Sequence, residues 1–160
     1  MDSFPAIEID KVKAWDFRLA NINTSECLNV AYGVDANYLD GVGVSITSIV
    51  LNNRHINLDF YIIADVYNDG FFQKIAKLAE QNQLRITLYR INTDKLQCLP
   101  CTQVWSRAMY FRLFAFQLLG LTLDRLLYLD ADVVCKGDIS QLLHLGLNGA
   151  VAAVVKDVEP

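Results

Sequence analysis

The sequence predicts an α/β fold, a Rossmann-like, mostly parallel sheet with helices on both faces. Segments rich in β-branched and aromatic apolar residues alternate with segments whose apolar residues recur at helical spacing. The strand-like segments are apolar almost throughout, as strands are when helices cover both faces of a parallel sheet. At 160 residues the chain suits one domain.

Residues 1–26 mix charges with scattered apolar positions and read as an N-terminal extension or short helix, leaving 27–160 as the domain proper. "CLNVAYGV" (27–34) is the first strand of the repeat. "NYLDGVGVSITSIVLNN" (37–53) is a helix, with Val42, Ile46, Ile49 and Val50 as its apolar positions. "NLDFYIIAD" (57–65) is the second strand. Asn68 and Asp69 offer a cap to "GFFQKIAKLAEQN" (70–82), where Phe72, Ile75, Ala76 and Ala79 share one face. "LRITLYRI" (84–91) is the third strand, and Pro100 marks a loop.

"VWSRAMYFRLFAFQLLG" (104–120) reads as an amphipathic helix closed by Gly120. Trp105, Tyr110, Phe111, Phe114 and Phe116 are expected mostly in the core, whereas Arg107 and Arg112 need solvent or anions. "RLLYL" (125–129) is the fourth strand, "DISQLLHLG" (138–146) a short helix capped by Asp138, and "GAVAAVV" (149–155) a fifth strand. A chain that stops just after such a strand reads as truncated within a domain. An uncovered sheet edge or helix face, and association through it, are then expected.

The composition is 53% hydrophobic and 20% charged, that of a globular chain, with a net charge of −4. No chain-wide attraction to nucleic acid is expected from that charge. The uncharged runs 41–53 and 113–123 fall short of the roughly 20 residues that span a bilayer. An acidic N-terminus without an apolar run is unlike a signal peptide, so the expected location is cytoplasmic. Cys27, Cys98, Cys101 and Cys135 are then expected to be reduced.

Chemistry is expected where parallel strands end, since ligands of open α/β sheets bind outside the carboxyl ends of the strands. "DANY" (35–38) follows the first strand of the repeat, and Asp130-Ala131-Asp132 follows the fourth. Carboxylates at i and i+2 of an extended backbone reach one side and suit a hard divalent ion such as Mg²⁺ or Mn²⁺ bridging to substrate phosphates. Alone, such a pair more often marks a solvated strand exit.

Four stretches together resemble glycosyltransferase family 8, the retaining enzymes of GT-A fold. They are "LNVAYGVDANYLDGVGVSITSIVLNN", "WSRAMYFRLF", "DRLLYLDADVVCKGDISQL" and "GAVAAVVKD". The likeness runs over nearly the whole chain and is closest to the lipopolysaccharide core α-glucosyl/galactosyltransferases of enteric bacteria. It implies a hexosyltransferase using UDP-glucose or UDP-galactose, with a lipopolysaccharide core acceptor and Mg²⁺ or Mn²⁺. Asp130 and Asp132 would be the metal ligands, Asp130 also lying against the ribose. Asp35, Asn37 and Tyr38 would contact the nucleoside, with Gly33 and Val34 lining the loop through their backbones and Ala131 lying between the metal ligands. Arg112 would face the diphosphate or donor sugar, and Asp157 the transferred sugar. Relatives complete the metal site with a downstream histidine in a motif absent here; His55 and His144 read as surface or helix-end residues. The chain thus resembles the donor-binding half, and peripheral membrane association at the inner face of the cytoplasmic membrane would fall to a further segment.

Two motifs compete. "CLPC" (98–101) is similar to a thioredoxin-type redox pair, but a polar loop separates it from its strand. "DGVGVS" (40–45) contains G-x-G without the third glycine of a dinucleotide fingerprint, so Gly41 and Gly43 are expected to serve helix–sheet packing.

Overall fold

A computed structural model describes residues 8–19, 27–102 and 106–155. It shows a five-stranded sheet in the order β1-β4-β3-β2-β5. The strands are β1 (Ile9–Asp16), β2 (Cys27–Val34), β3 (Asn57–Ala64), β4 (Arg85–Ile91) and β5 (Leu127–Tyr128), and the helices are α1 (Leu39–Asn52), α2 (Asp69–Asn82) and α3 (Phe111–Leu119). β2, β3, β4 and β5 run parallel, while β1 pairs antiparallel with β4 along the far edge. Chain order reverses direction in the sheet between β2 and β5. That pair is the topological switch point, where an open α/β sheet leaves a crevice at its carboxyl edge.

Alternation along β2 decides which side chains meet which helices. Val30 and Tyr32 face a core with Phe60, Ile62, Ile86 and Leu88, closed by Ile46 and Ile49 of α1 and Ile75 of α2. Ala31 faces the opposite way, into a second core with Tyr61, Ile63, Phe111, Phe114 and Leu119, closed by α3. The sheet is therefore covered on both faces. Each fully buried aliphatic or aromatic side chain contributes about 1.5–3 kcal/mol. α2 starts at Asn68, whose side chain accepts from the Phe71 amide at 2.8 Å, and ends where Gln83 turns left-handed.

Several elements differ from expectation; the helix expected over 138–146 is the 3₁₀ turn Ser140–His144, and the strand expected over 125–129 keeps only Leu127–Tyr128. Residues 9–16 lie in the sheet as β1, not in a helix; most of β1 is exposed, as suits an edge strand carrying charges. Its C-terminal exit is fixed by Arg18, which bonds both Asp16 and the buried Asp59 of β3. The run 149–155 forms no strand: Val151, Val154 and Val155 are 101%, 89% and 96% exposed. An apolar run becomes a strand only beside a backbone to pair with, and none of the described strands lies alongside it. The helix expected over 104–120 is a 3₁₀ turn, Arg107–Tyr110, leading into α3, with residues 104 and 105 outside the described part. Its aromatics divide: Phe111 and Phe114 are buried, Phe116 is exposed.

Candidate functional site

β2 leaves the sheet at Val34, and Asp35 caps the 3₁₀ turn Ala36–Tyr38 by accepting from the Asn37 amide at 3.0 Å. Its other carboxylate oxygen accepts from the Ser106 hydroxyl at 3.0 Å, tying this turn to the segment that enters α3. Val34 is buried, so its backbone is fixed, whereas Asn37 and Tyr38 open to solvent. Tyr38 thus presents a free aromatic face at the carboxyl edge of the sheet.

β5 ends two residues before Asp130. Ala131 is buried against α1, where a side chain on Gly41 would meet the Ala131 carbonyl at 3.0 Å. Gly41 therefore lets the helix approach the aspartate segment, as expected of a packing glycine. Gly43 has open space around its Cα and does not share that role. With Ala131 turned inward, the flanking Asp130 and Asp132 are exposed. Past them, α1 holds the chain: Ser48 accepts from the Cys135 amide at 2.9 Å, and Asn53 accepts from the Ile139 amide at 2.8 Å while donating to the Gly137 carbonyl at 3.3 Å.

Arg112, in the first turn of α3, closes the third side. Its guanidinium bonds the Asp130 carboxylate at 3.0 Å and lies 5.3 Å above the Tyr128 ring. The pair is 43% and 57% exposed, so it is worth at most about 1 kcal/mol and exchanges readily for another partner. The Arg112 Nε–H is buried with no acceptor among the described residues. Asp65, at the end of β3, completes the edge; burial raises its pKa, and the nearby Asp35 charge raises it further.

Gly33, Val34, Asp35, Asn37, Tyr38, Arg112, Asp130, Ala131 and Asp132 thus come from the three segments that converge on one edge of the sheet. Asp157 lies outside the described residues. Pattern reading missed Ser106, Asp65 and the part played by Tyr128, because each matters through tertiary partners. The backbone through Ala131 and Asp132 is a turn, closed by the Val133 amide on the Asp130 carbonyl at 3.3 Å, and not the extended segment expected to aim both carboxylates to one side. The two exposed carboxylates are still oxygen donors of the kind Mg²⁺ or Mn²⁺ takes together with phosphate oxygens and water. Among the described residues no third His, Cys, Asp or Glu joins them.

The other candidates resolve differently. Arg107 is part-exposed and donates to the carbonyls of Leu96 and Gln97. Lys136 faces solvent. His55 pairs at the surface with Asp138, and His144 ends the 3₁₀ turn Ser140–His144. Cys98 and Cys101 are exposed in the loop after β4 and, among the described residues, sit at no helix N-terminus, the feature that would activate a redox thiol. All four cysteines are free thiols.

Comparison with known proteins decides the family. The model for glycosyl transferase family 8 matches residues 29–159. The chain belongs to that family. It is 39% identical over 153 residues to a lipopolysaccharide 1,2-glucosyltransferase of Escherichia coli, covering 96% of this chain and 43% of that protein. It is 38% identical over 145 residues to a lipopolysaccharide 1,3-galactosyltransferase of Salmonella typhimurium, covering 90% of this chain and 43% of that one. The chain thus spans about two fifths of the curated relatives it matches. Among solved structures, the galactosyltransferase LgtC with donor and acceptor sugar analogues superposes with a TM-score of 0.62 at 19% identity, over 72% of this chain and 41% of that one. The bifunctional glycosyltransferase WbbM gives 0.61 at 21%, over 81% and 23%. This family 8 chain has the GT-A fold expected of it. Among its described residues, no helix is long and apolar enough to cross a membrane.

Proposed function

We propose that this family 8 chain is the donor-binding half of a retaining hexosyltransferase that takes UDP-glucose or UDP-galactose and acts on the lipopolysaccharide core. The observation that carries the reading is the meeting of the 35–38 turn, Arg112 and the Asp130-x-Asp132 pair at the switch point between β2 and β5. A nucleoside diphosphate has the matching parts: a base and ribose for the turn, and phosphates for the basic and acidic groups.

In this reading Tyr38 stacks on the uracil, Asp35 and Asn37 bond the nucleoside, and the backbones of Gly33 and Val34 shape the loop. Asp130 and Asp132, with Ala131 anchoring the backbone between them, hold Mg²⁺ or Mn²⁺, and Asp130 also reaches the ribose. When bound, such an ion supplies positive charge against the diphosphate leaving group. Arg112 adds permanently charged planar donors as negative charge develops on the β-phosphate. Asp157 belongs near the transferred sugar. The relatives' names support a lipopolysaccharide acceptor; the core as its site and work in the cytoplasm at the inner face of the membrane are part of the proposal. The net charge of −4 gives no support to a nucleic-acid partner.

Titration calorimetry of UDP into the chain, with and without Mn²⁺, tests the reading. Binding should need Mn²⁺ and fall at least about tenfold in Asp132→Asn, as for losing a charge-assisted contact. Metal-independent binding, or an unaffected variant, would sink it. With the 160-residue chain alone, UDP binding without hexose transfer is the expected result, because the relatives extend well beyond the matched part.

A further inference from the structure

Resting on the donor-site reading above, we infer that Tyr128 is the positioning residue that couples the nucleoside loop to the diphosphate side of the site. The β2–β5 ladder is short: Val30 pairs with Leu127 and Ala31 with Tyr128, and the last ladder bond runs from the Leu129 amide to the Ala31 carbonyl at 3.0 Å. Beyond it the two strands diverge to open the crevice. On that side Gly33 has no strand beside it, and burial without a partner would cost its backbone groups about 1–3 kcal/mol.

The Tyr128 hydroxyl takes the strand's place. It accepts from the Gly33 amide at 3.1 Å and donates toward the Gly33 carbonyl at 3.4 Å. A Cβ at position 33 would lie 2.8 Å from that hydroxyl and 2.7 Å from the Phe111 Cβ, so the contact requires glycine there. The same side chain carries Arg112 over its ring face at 5.3 Å, while Phe116 packs at 5.7 Å to hold the ring. Tyr128 therefore touches the end of β2 through its hydroxyl and the basic group of α3 through its ring, and stands two residues before Asp130. The hydroxyl sets the loop that begins at Gly33, while the ring carries the larger contact with Arg112, whose charge also reaches the hydroxyl.

The separation gives the test. Tyr128→Phe removes the hydroxyl and keeps the ring; Tyr128→Leu removes both. Calorimetry compares Mn²⁺ with UDP against Mn²⁺ with inorganic pyrophosphate, which lacks the nucleoside. Tyr128→Phe should weaken UDP about five- to tenfold, as for one hydrogen bond, and weaken pyrophosphate clearly less. Tyr128→Leu should weaken both. A purely structural tyrosine would weaken the two ligands in proportion in Tyr128→Phe, and that result, or undiminished UDP binding, overturns the inference. Tyr128→Phe decides the matter even where the leucine variant does not fold. Failure of the native chain to bind Mn²⁺ with UDP would instead overturn the donor reading and this inference with it.

Discussion

At the carboxyl end of β3, burial lifts the pKa of Asp65 above the ordinary carboxylate value, and the charge of Asp35 lifts it further. The folded state therefore holds the Asp65 proton more tightly than the unfolded chain does. Stability is favoured while Asp65 is protonated, and is lost as pH rises from about 3.8 through the folded value. At neutral pH the charged group sits at a cost, as carboxylates in functional sites commonly do. Asp65→Asn keeps an oxygen for the Val66 amide, bonded at 2.9 Å, and removes the charge. The variant should be more stable than the native chain at pH 7, by less than about 1 kcal/mol because Asp65 is partly open to water. The gain should vanish near pH 3. Urea unfolding at both pH values checks this, and a loss at pH 7 would contradict it. Sequence pattern offers no such signal at Asp65, which reads there only as the last polar residue of a strand.

Among the elements, α1 is the platform on which the aspartate segment rests. Its C-terminal turns present Ser48, Asn52 and Asn53 to residues 135–139, and Asn53 is fully buried. Asn53→Ala leaves the Ile139 amide without its acceptor and the Gly137 carbonyl with only the Cys135 thiol, which should cost about 1–3 kcal/mol. Asn52→Ala, at the exposed neighbour, should cost less than about 0.5 kcal/mol. Urea midpoints at constant m would show the difference, and equal losses would refute the platform. The sequence made β2, β3, β4, α1 and α2 legible because their apolar runs and caps are local signals. β1 carries Asp10, Lys11, Lys13 and Asp16 and becomes a strand only through β4, whose paired residues lie far along the sequence, from Asp16 with Arg85 to Ile9 with Ile91. β5 keeps two residues because the strands part at the crevice, a tertiary event. The turn at 35–38 and the aspartate pair were readable as strand exits. Ser106 and Tyr128 were not, since a hydroxyl reaching a loop across the sheet leaves no periodic trace.

Over the whole molecule, the cores on the two faces of the sheet bury the strands, yet the run 149–155 stays outside both. Val151, Val154 and Val155 are almost wholly in water, and Leu121 is 83% exposed. Removing one valine side chain from water is worth about 1.5 kcal/mol, so contact between two copies through such runs offsets part of the cost of association. The net charge of −4 opposes contact only at long range and is screened by about 0.15 M salt. The chain should therefore associate with rising concentration, more strongly in salt. Replacing Val151, Val154 and Val155 together by Ser should restore the monomer without shifting the urea midpoint, because these side chains contribute nothing to either core. Sedimentation velocity over a concentration series reads the first effect and unfolding the second. A native chain that stays monomeric at every concentration would show that this run finds cover within its own molecule. A variant that loses stability would show that the valines pack against it.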